Sequence, residues 1–168
     1  FRPQYNKNEV LNLYICLMQG FITIFSGAPG TGKTSICNIM GHTLGLDEEL
    51  LNCNNISTKR FVTIPVEKGW TSKKDLIGYY NPLSNKIERN NSNLYDLLRI
   101  LNAEKDESSL PAVILLDEAN MSTMEYYWSD FINISDNING KNNPIPYNNI
   151  RVKIHFMFWL LCNFNKKT

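Results

Sequence analysis

The sequence predicts an α/β fold in which a mainly parallel sheet lies between two helical layers, and three observations carry that expectation. Residues 21–25 are a short apolar run of β-formers leading into Gly27-Ala28-Pro29-Gly30-Thr31-Gly32-Lys33-Thr34, which in turn opens a helical pattern. Residues 112–116 are continuously apolar over one strand length, as a central parallel strand covered on both faces must be, and they deliver Asp117-Glu118 at their C-terminal end. Residues 154–161 repeat that character and end at Cys162-Asn163.

The other elements follow in chain order. Val10, Leu13, Tyr14 and Leu17 fall at helical spacing within residues 9–19 and predict an amphipathic lead-in helix. After the glycine-rich loop, Ile36, Ile39, Met40 and Thr43 share one helical face, and Gly45 supplies the stop. Residues 46–59 are polar and read as surface loop with room for a turn of helix, whereas residues 60–66 predict a second strand limited by Pro65. Ser72 with Asp75, Asn93 with Asp96, and Ser122 with Glu125 are capping-box starts for three helices. The second of these helices places Leu94, Leu97, Leu98 and Leu101 on one face, and the third places Met124, Tyr127, Phe131, Ile134 and Ile138. Residues 82–93 read as loop, and residues 145–153 as a proline-weakened hairpin.

Composition limits what such a chain does. With 168 residues, 43% hydrophobic and 20% charged, it suits one domain with a real core and is neither disordered nor membranous. The longest apolar run, about nine residues around 155–162, is far below a bilayer span, and no signal peptide is present, so a cytoplasmic protein is expected. Cys16, Cys37, Cys53 and Cys162 form no C-x-x-C pair and are expected to be reduced and buried. A net charge of +1 argues against holding nucleic acid by bulk electrostatics. The chain starts without methionine and stops just after an apolar run, as a piece of a longer polypeptide would.

The chemistry concentrates at two places. Glycines 27, 30 and 32 let consecutive backbone N–H groups curl round a β-phosphate. Lys33 reaches the β and γ phosphates, and the Thr34 hydroxyl suits Mg²⁺. The helix starting at Lys33 adds its positive end. Asp117 suits the metal, directly or through water, and Glu118 suits orienting and deprotonating the attacking water. Trp70, Tyr79 and Tyr80 are expected to pack, and His42 and His155 to be non-catalytic. Arg60, Arg89, Arg99 and Arg151 are expected on the solvated surface.

Taken together, the loop, the strand ending in Asp117-Glu118 and the later strand ending in Asn163 resemble the AAA+ ATPases, matching Walker A, Walker B and sensor 1. Gly69-Trp70, residues 75–82 (DLIGYYNP) and residues 115–131 (LLDEANMS through YYWSDF) look like the branch containing the McrB-type restriction motors and the dynein-related ATPases. The resemblance implies a P-loop NTPase core over residues 20–168, behind a helical lead-in at 1–19 and without fifth strand or helical lid. It implies nucleotide contacts from Gly27, Ala28, Pro29, Gly30, Thr31, Gly32, Lys33, Thr34 and Ser35, and Mg²⁺ at Thr34 and Asp117. Glu118 and Lys33 take catalytic roles, with Asn163 positioning water or sensing the γ-phosphate. The nucleotide is ATP or GTP: Lys166 stands where McrB-type proteins tend to carry an acid, a departure from the McrB pattern and from the GTP preference that goes with it. The implied assembly is a homo-oligomeric ring completed by an arginine from an adjacent subunit, with a nuclease subunit and DNA as partners and no membrane. A MoxR-like or midasin-like protein remodeller is the alternative, and so, for this chain alone, is a nucleotide-binding module without turnover. Because the fifth strand of such cores flanks the first, residues 21–25 are expected to form an uncovered edge or to borrow a cover.

Overall fold

The computed structural model describes residues 6–19, 22–51, 57–89, 94–103, 111–136 and 156–163. In chain order the elements are α1 (Lys7–Gln19), β1 (Ile22–Gly27), α2 (Lys33–Thr43), β2 (Glu49–Leu51), β3 (Ser57–Lys59), β4 (Phe61–Pro65) and α3 (Lys73–Ile77). They continue with β5 (Tyr79–Asn81), β6 (Lys86–Glu88), α4 (Leu94–Ala103), β7 (Ala112–Asp117), a 3-10 turn (Ala119–Met121), α5 (Met124–Asp136) and β8 (Phe156–Asn163).

The main sheet runs in the order β1-β8-β7-β4, with every pair parallel. Parallel neighbours need crossovers, which places helices on the sheet faces. Side chains alternate along β7 and divide between two apolar clusters. Ala112, Ile114 and Leu116 join Val62 and Ile64 of β4 under α3, α4 and the Tyr127, Trp128 and Phe131 face of α5. Val113 and Leu115 meet Cys37 and Met40 of α2 together with Leu46. The chain therefore has the expected three-layer α/β architecture. No helix among the described residues is long and apolar enough to cross a membrane.

Several local expectations are corrected. Residues 46–59 are not plain loop: Leu46 is fully buried and β2 pairs antiparallel with β3. Residues 86–88 likewise form a strand, β6, paired with β5. Strands of three residues give no period long enough to detect. Tyr79 and Tyr80 stand on that hairpin, exposed, while Trp70 packs as expected, edge-on to Tyr127 at 5.3 Å. On α2 the buried stripe is Cys37, Met40 and Gly41, and Ile39 is exposed. A Cβ on Gly41 would sit 2.8 Å from the Phe61 ring, so the helix is seated there by close approach rather than by side-chain bulk. His42 lies in the last turn of α2, where Nδ1 meets Asp47 at 2.7 Å.

Arg60 is buried, not solvated, and its carbonyl accepts from the Val113 N–H. Arg89 pairs with the buried Asp96 and, with Arg99, lies against the Tyr95 ring. Cys16 is exposed, and Cys37 and Cys162 are buried free thiols. The Ser72 start is borne out, since Asp75 Oδ2 accepts from the backbone N–H groups of Thr71 and Ser72 at 2.8 and 2.9 Å. The Ser122 start is not: the Ser122 hydroxyl donates to the Glu67 carbonyl at 2.7 Å and accepts from the Trp70 N–H, so it ties a loop rather than capping α5. Asn93, Cys53, the hairpin expected at 145–153, Arg151, His155 and Lys166 lie outside the described residues.

Candidate functional site

β1, β7 and β8 end together at one edge of the sheet, the C-terminal edge where ligands of open α/β sheets are held. β1 ends at Gly27 and opens into the loop. Gly30 and Gly32 have φ of 77° and 82°, a left-handed backbone that a Cβ disfavours. Nothing would crowd a Cβ at Gly30, so its constraint is conformational rather than steric. Gly32 is the residue before α2, whose first turn carries Lys33, Thr34 and Ser35 and no acid. The positive end of the helix thus faces the loop without internal neutralisation. Thr31 Oγ1 donates to the Ala28 carbonyl at 2.9 Å. Lys33 Nζ donates to the carbonyls of Gly27 and Ala28 at 3.0 and 2.8 Å. The ammonium is folded over the mouth of the loop, with two of its three donors engaged.

On the neighbouring strands, Asp117 closes β7 and Glu118 follows it. Asp117 Oδ1 accepts from the Glu118 N–H at 3.1 Å, and the Asp117 carbonyl accepts from the Val66 N–H at 2.9 Å. Glu118 has φ 55° and ψ 40°, a left-handed conformation in a residue that is not glycine. Both acids are half-buried.

Two thiols report how closely these groups converge. Burial pushes Cys37 up to about 12, and the charge of Asp117 adds to it, so Asp117 is felt on the α2 side of the sheet. Burial also pushes Cys162 up; Glu118 raises it further and Lys33 pulls it down. Lys33 and Glu118, distant in sequence, are therefore both within electrostatic reach of one residue of β8. Neither thiol stood out in the sequence as part of a site, because their relevance arises only from strand order.

Asn163 and Asp117 close neighbouring strands but are not level with each other. In register, Gly27 lies beside Asn163, whereas Leu116 lies beside Leu160. Asn163 is thus level with the start of the phosphate loop and about 7 Å further along than the level of Asp117, at about 3.3 Å per residue. The backbone brings Asn163 to the right edge of the sheet, next to Gly27 rather than Asp117.

The donor set suits a Mg²⁺-nucleotide. Thr34 and Asp117 offer the hard oxygens that Mg²⁺ prefers, and the glycine loop, Lys33 and the α2 N-terminus offer positive charge to phosphate.

A parallel α/β sheet with a glycine-rich phosphate loop on its first strand and an Asp-Glu pair on an inner strand defines a P-loop nucleoside triphosphatase architecture. The family model of the ATPase family associated with various cellular activities (AAA) matches residues 23–126, more than half of the chain, and the chain belongs to that family. The matched stretch includes the loop and Asp117-Glu118 and stops before β8. No curated protein matches the chain.

Proposed function

We propose that the chain is the core of a Mg²⁺-dependent AAA+ motor that hydrolyses ATP or GTP, with residues 1–19 as lead-in and 20–168 as core, and within that class the NTPase subunit of a McrB-type DNA restriction system. The observation that carries the hydrolytic part is the meeting of the phosphate loop and the Asp117-Glu118 pair at one edge of a parallel sheet.

Backbone N–H groups from Ala28 to Ser35 and the Lys33 ammonium hold the triphosphate and stabilise the charge that gathers on it. Thr34 and Asp117 hold Mg²⁺, which when bound supplies Lewis-acid neutralisation of the phosphate oxygens. Glu118 accepts a proton from water as its oxygen closes in line on the γ-phosphorus. The bond to the bridging oxygen breaks, and the nucleoside diphosphate and inorganic phosphate are the products. Asn163 holds that water or senses the γ-phosphate. Lys33 has to leave the Gly27 and Ala28 carbonyls to do this, a small rotation of a flexible side chain.

The restriction assignment is supported by residues 69–70, 75–82 and 115–131, whose text is similar to that branch. A homo-oligomeric ring, an arginine from the adjacent subunit, a nuclease subunit and DNA belong to the same proposal. The test is Mg²⁺-dependent binding of ATP and GTP by the intact protein, followed by turnover with and without DNA and with Glu118→Gln. GTP preference with turnover raised by a nuclease partner supports the McrB-type assignment. ATP turnover indifferent to DNA moves the assignment to a MoxR-like or midasin-like remodeller. Tight binding with turnover unaffected by Glu118→Gln leaves a nucleotide-dependent binding module.

A further inference from the structure

Two non-glycine residues among the described residues have positive φ, Asn85 and Glu118. Asn tolerates that region, since its short side chain bonds locally, and Asn85 sits in a hairpin turn. Glu has no such excuse. A residue of this type keeps a left-handed backbone only where its surroundings over-determine it, and such places cluster at functional sites.

The surroundings can be named. Upstream, the Glu118 N–H donates to Asp117 Oδ1 at 3.1 Å. Downstream, the Met121 N–H donates to the Glu118 carbonyl at 2.8 Å and closes the 3-10 turn. The next carbonyl, that of Ala119, accepts from the Tyr127 hydroxyl at 2.7 Å, with both residues fully buried. The far end of the turn is tied by Ser122, whose hydroxyl donates to the Glu67 carbonyl at 2.7 Å and accepts from the Trp70 N–H at 3.1 Å.

The Tyr127 ring has no freedom of its own, being wedged edge-on against Trp70 inside the core. Phenylalanine would fill the same volume without bringing a hydroxyl that has to be desolvated. What the hydroxyl adds is a fixed donor to the backbone one residue after Glu118. Burial holds its pKa far above the usual phenol range, so it remains a donor throughout the working pH range.

We propose that Tyr127 is a positioning residue for Glu118. Its hydroxyl, with Ser122 as second anchor, clamps the 3-10 turn so that the carboxylate is held in the left-handed geometry needed to meet the attacking water. The proposal rests on Glu118 as the general base.

The test compares ATP turnover of the intact wild-type protein with Tyr127→Phe, Ser122→Ala, Glu118→Gln and the Tyr127→Phe/Glu118→Gln double variant, together with nucleotide affinity and thermal midpoints. Tyr127→Phe is expected to lower kcat at least about tenfold, toward the roughly hundredfold that a misplacement of about 1 Å costs, while KM and nucleotide affinity stay within about twofold. In the Glu118→Gln background it is expected to have no further effect, and Ser122→Ala is expected to lower kcat in the same pattern. Amide exchange at Met121 is expected to rise in Tyr127→Phe. If Tyr127→Phe keeps wild-type kcat while Glu118→Gln is crippled, the clamp is overturned and the base assignment stands. A Tyr127→Phe effect confined to stability or KM overturns the clamp equally. If Glu118→Gln turns over like wild type, or the wild type does not turn over at all, the base assignment falls and the clamp with it. Should Tyr127→Phe fail to fold, the half-buried Ser122→Ala decides the matter on the same kcat criterion.

Discussion

With Glu118 as the proposed general base, function and backbone stability pull against each other at this residue. Its left-handed backbone costs a residue with a β-carbon about 1 kcal/mol, a cost glycine does not have. Glu118→Gly is therefore expected to raise stability to denaturant by up to about 1 kcal/mol while abolishing turnover, and Glu118→Ala, which keeps the strain, to abolish turnover without that gain. The thiols beside the acids supply a pH signature. Cys37 is held protonated from its ordinary 9.0 up to about 12, mainly by burial and then by Asp117. Its folded pKa lies above its unfolded one, so its contribution is complete below about pH 9 and is lost as pH rises toward 12. Unfolding free energy is thus expected to fall across that window, less steeply in Cys37→Ala. Mass-mapped alkylation of the native protein is expected to modify Cys16 and spare Cys37 and Cys162 until denaturant is added.

Among the elements, α3 and the β5–β6 hairpin are each set by one residue. α3 is only one and a half turns long, too short to be stable by itself, and Asp75 holds its start by accepting two backbone N–H groups. Gly78, which ends it, has φ 98° and passes so close to the Glu88 carbonyl that a Cβ would collide with backbone. Asp75→Ala is expected to cost about 1 kcal/mol, as loss of a cap does. Gly78→Ala is expected to cost more than about 1 kcal/mol, because neither the angle nor the space admits a side chain. Chemical denaturation measures both. The hairpin beyond Gly78 is closed by Tyr79 with Glu88, Asn81 with Glu88 and Tyr80 with Asn85, so polar side chains take the place of an apolar face.

For the molecule as a whole, strand order decides both stability and chemistry. β7 lies between β4 and β8 with both faces buried, so a loss there is felt in both layers. Leu115→Ala is expected to cost about 2–5 kcal/mol. β1 is the edge strand of the described sheet, as expected for residues 21–25, and Ile24 is 62% exposed. Ile24→Ala is expected to change stability by no more than about 0.5 kcal/mol. Equilibrium unfolding of the two variants tests the sheet order directly: similar losses would mean that β1 is covered in solution.

Elements that repeat a pattern over enough residues, or that carry a backbone requirement, were legible from the order of residues alone. Residues 112–117 are a buried strand because no residue from Ala112 to Leu116 is polar, and the loop at 27–34 is legible because its glycines and Lys33 answer to phosphate geometry. Three-residue strands such as β2, β3 and β6 were not legible, since two or three alternations do not rise above chance. The partners of isolated polar residues came from packing instead. Ser122 has the spacing of a cap, yet its hydroxyl reaches Glu67 and Trp70, more than fifty residues away. Asn163 follows a strand as Asp117 does, yet parallel register sets it beside Gly27. Cys162 acquires meaning only once β8 lies between β1 and β7, and Tyr127 only once α5 packs against the turn that follows Glu118. Local spacing fixes a side chain's direction within its own element, whereas its partner is fixed by the packing of elements the sequence keeps far apart.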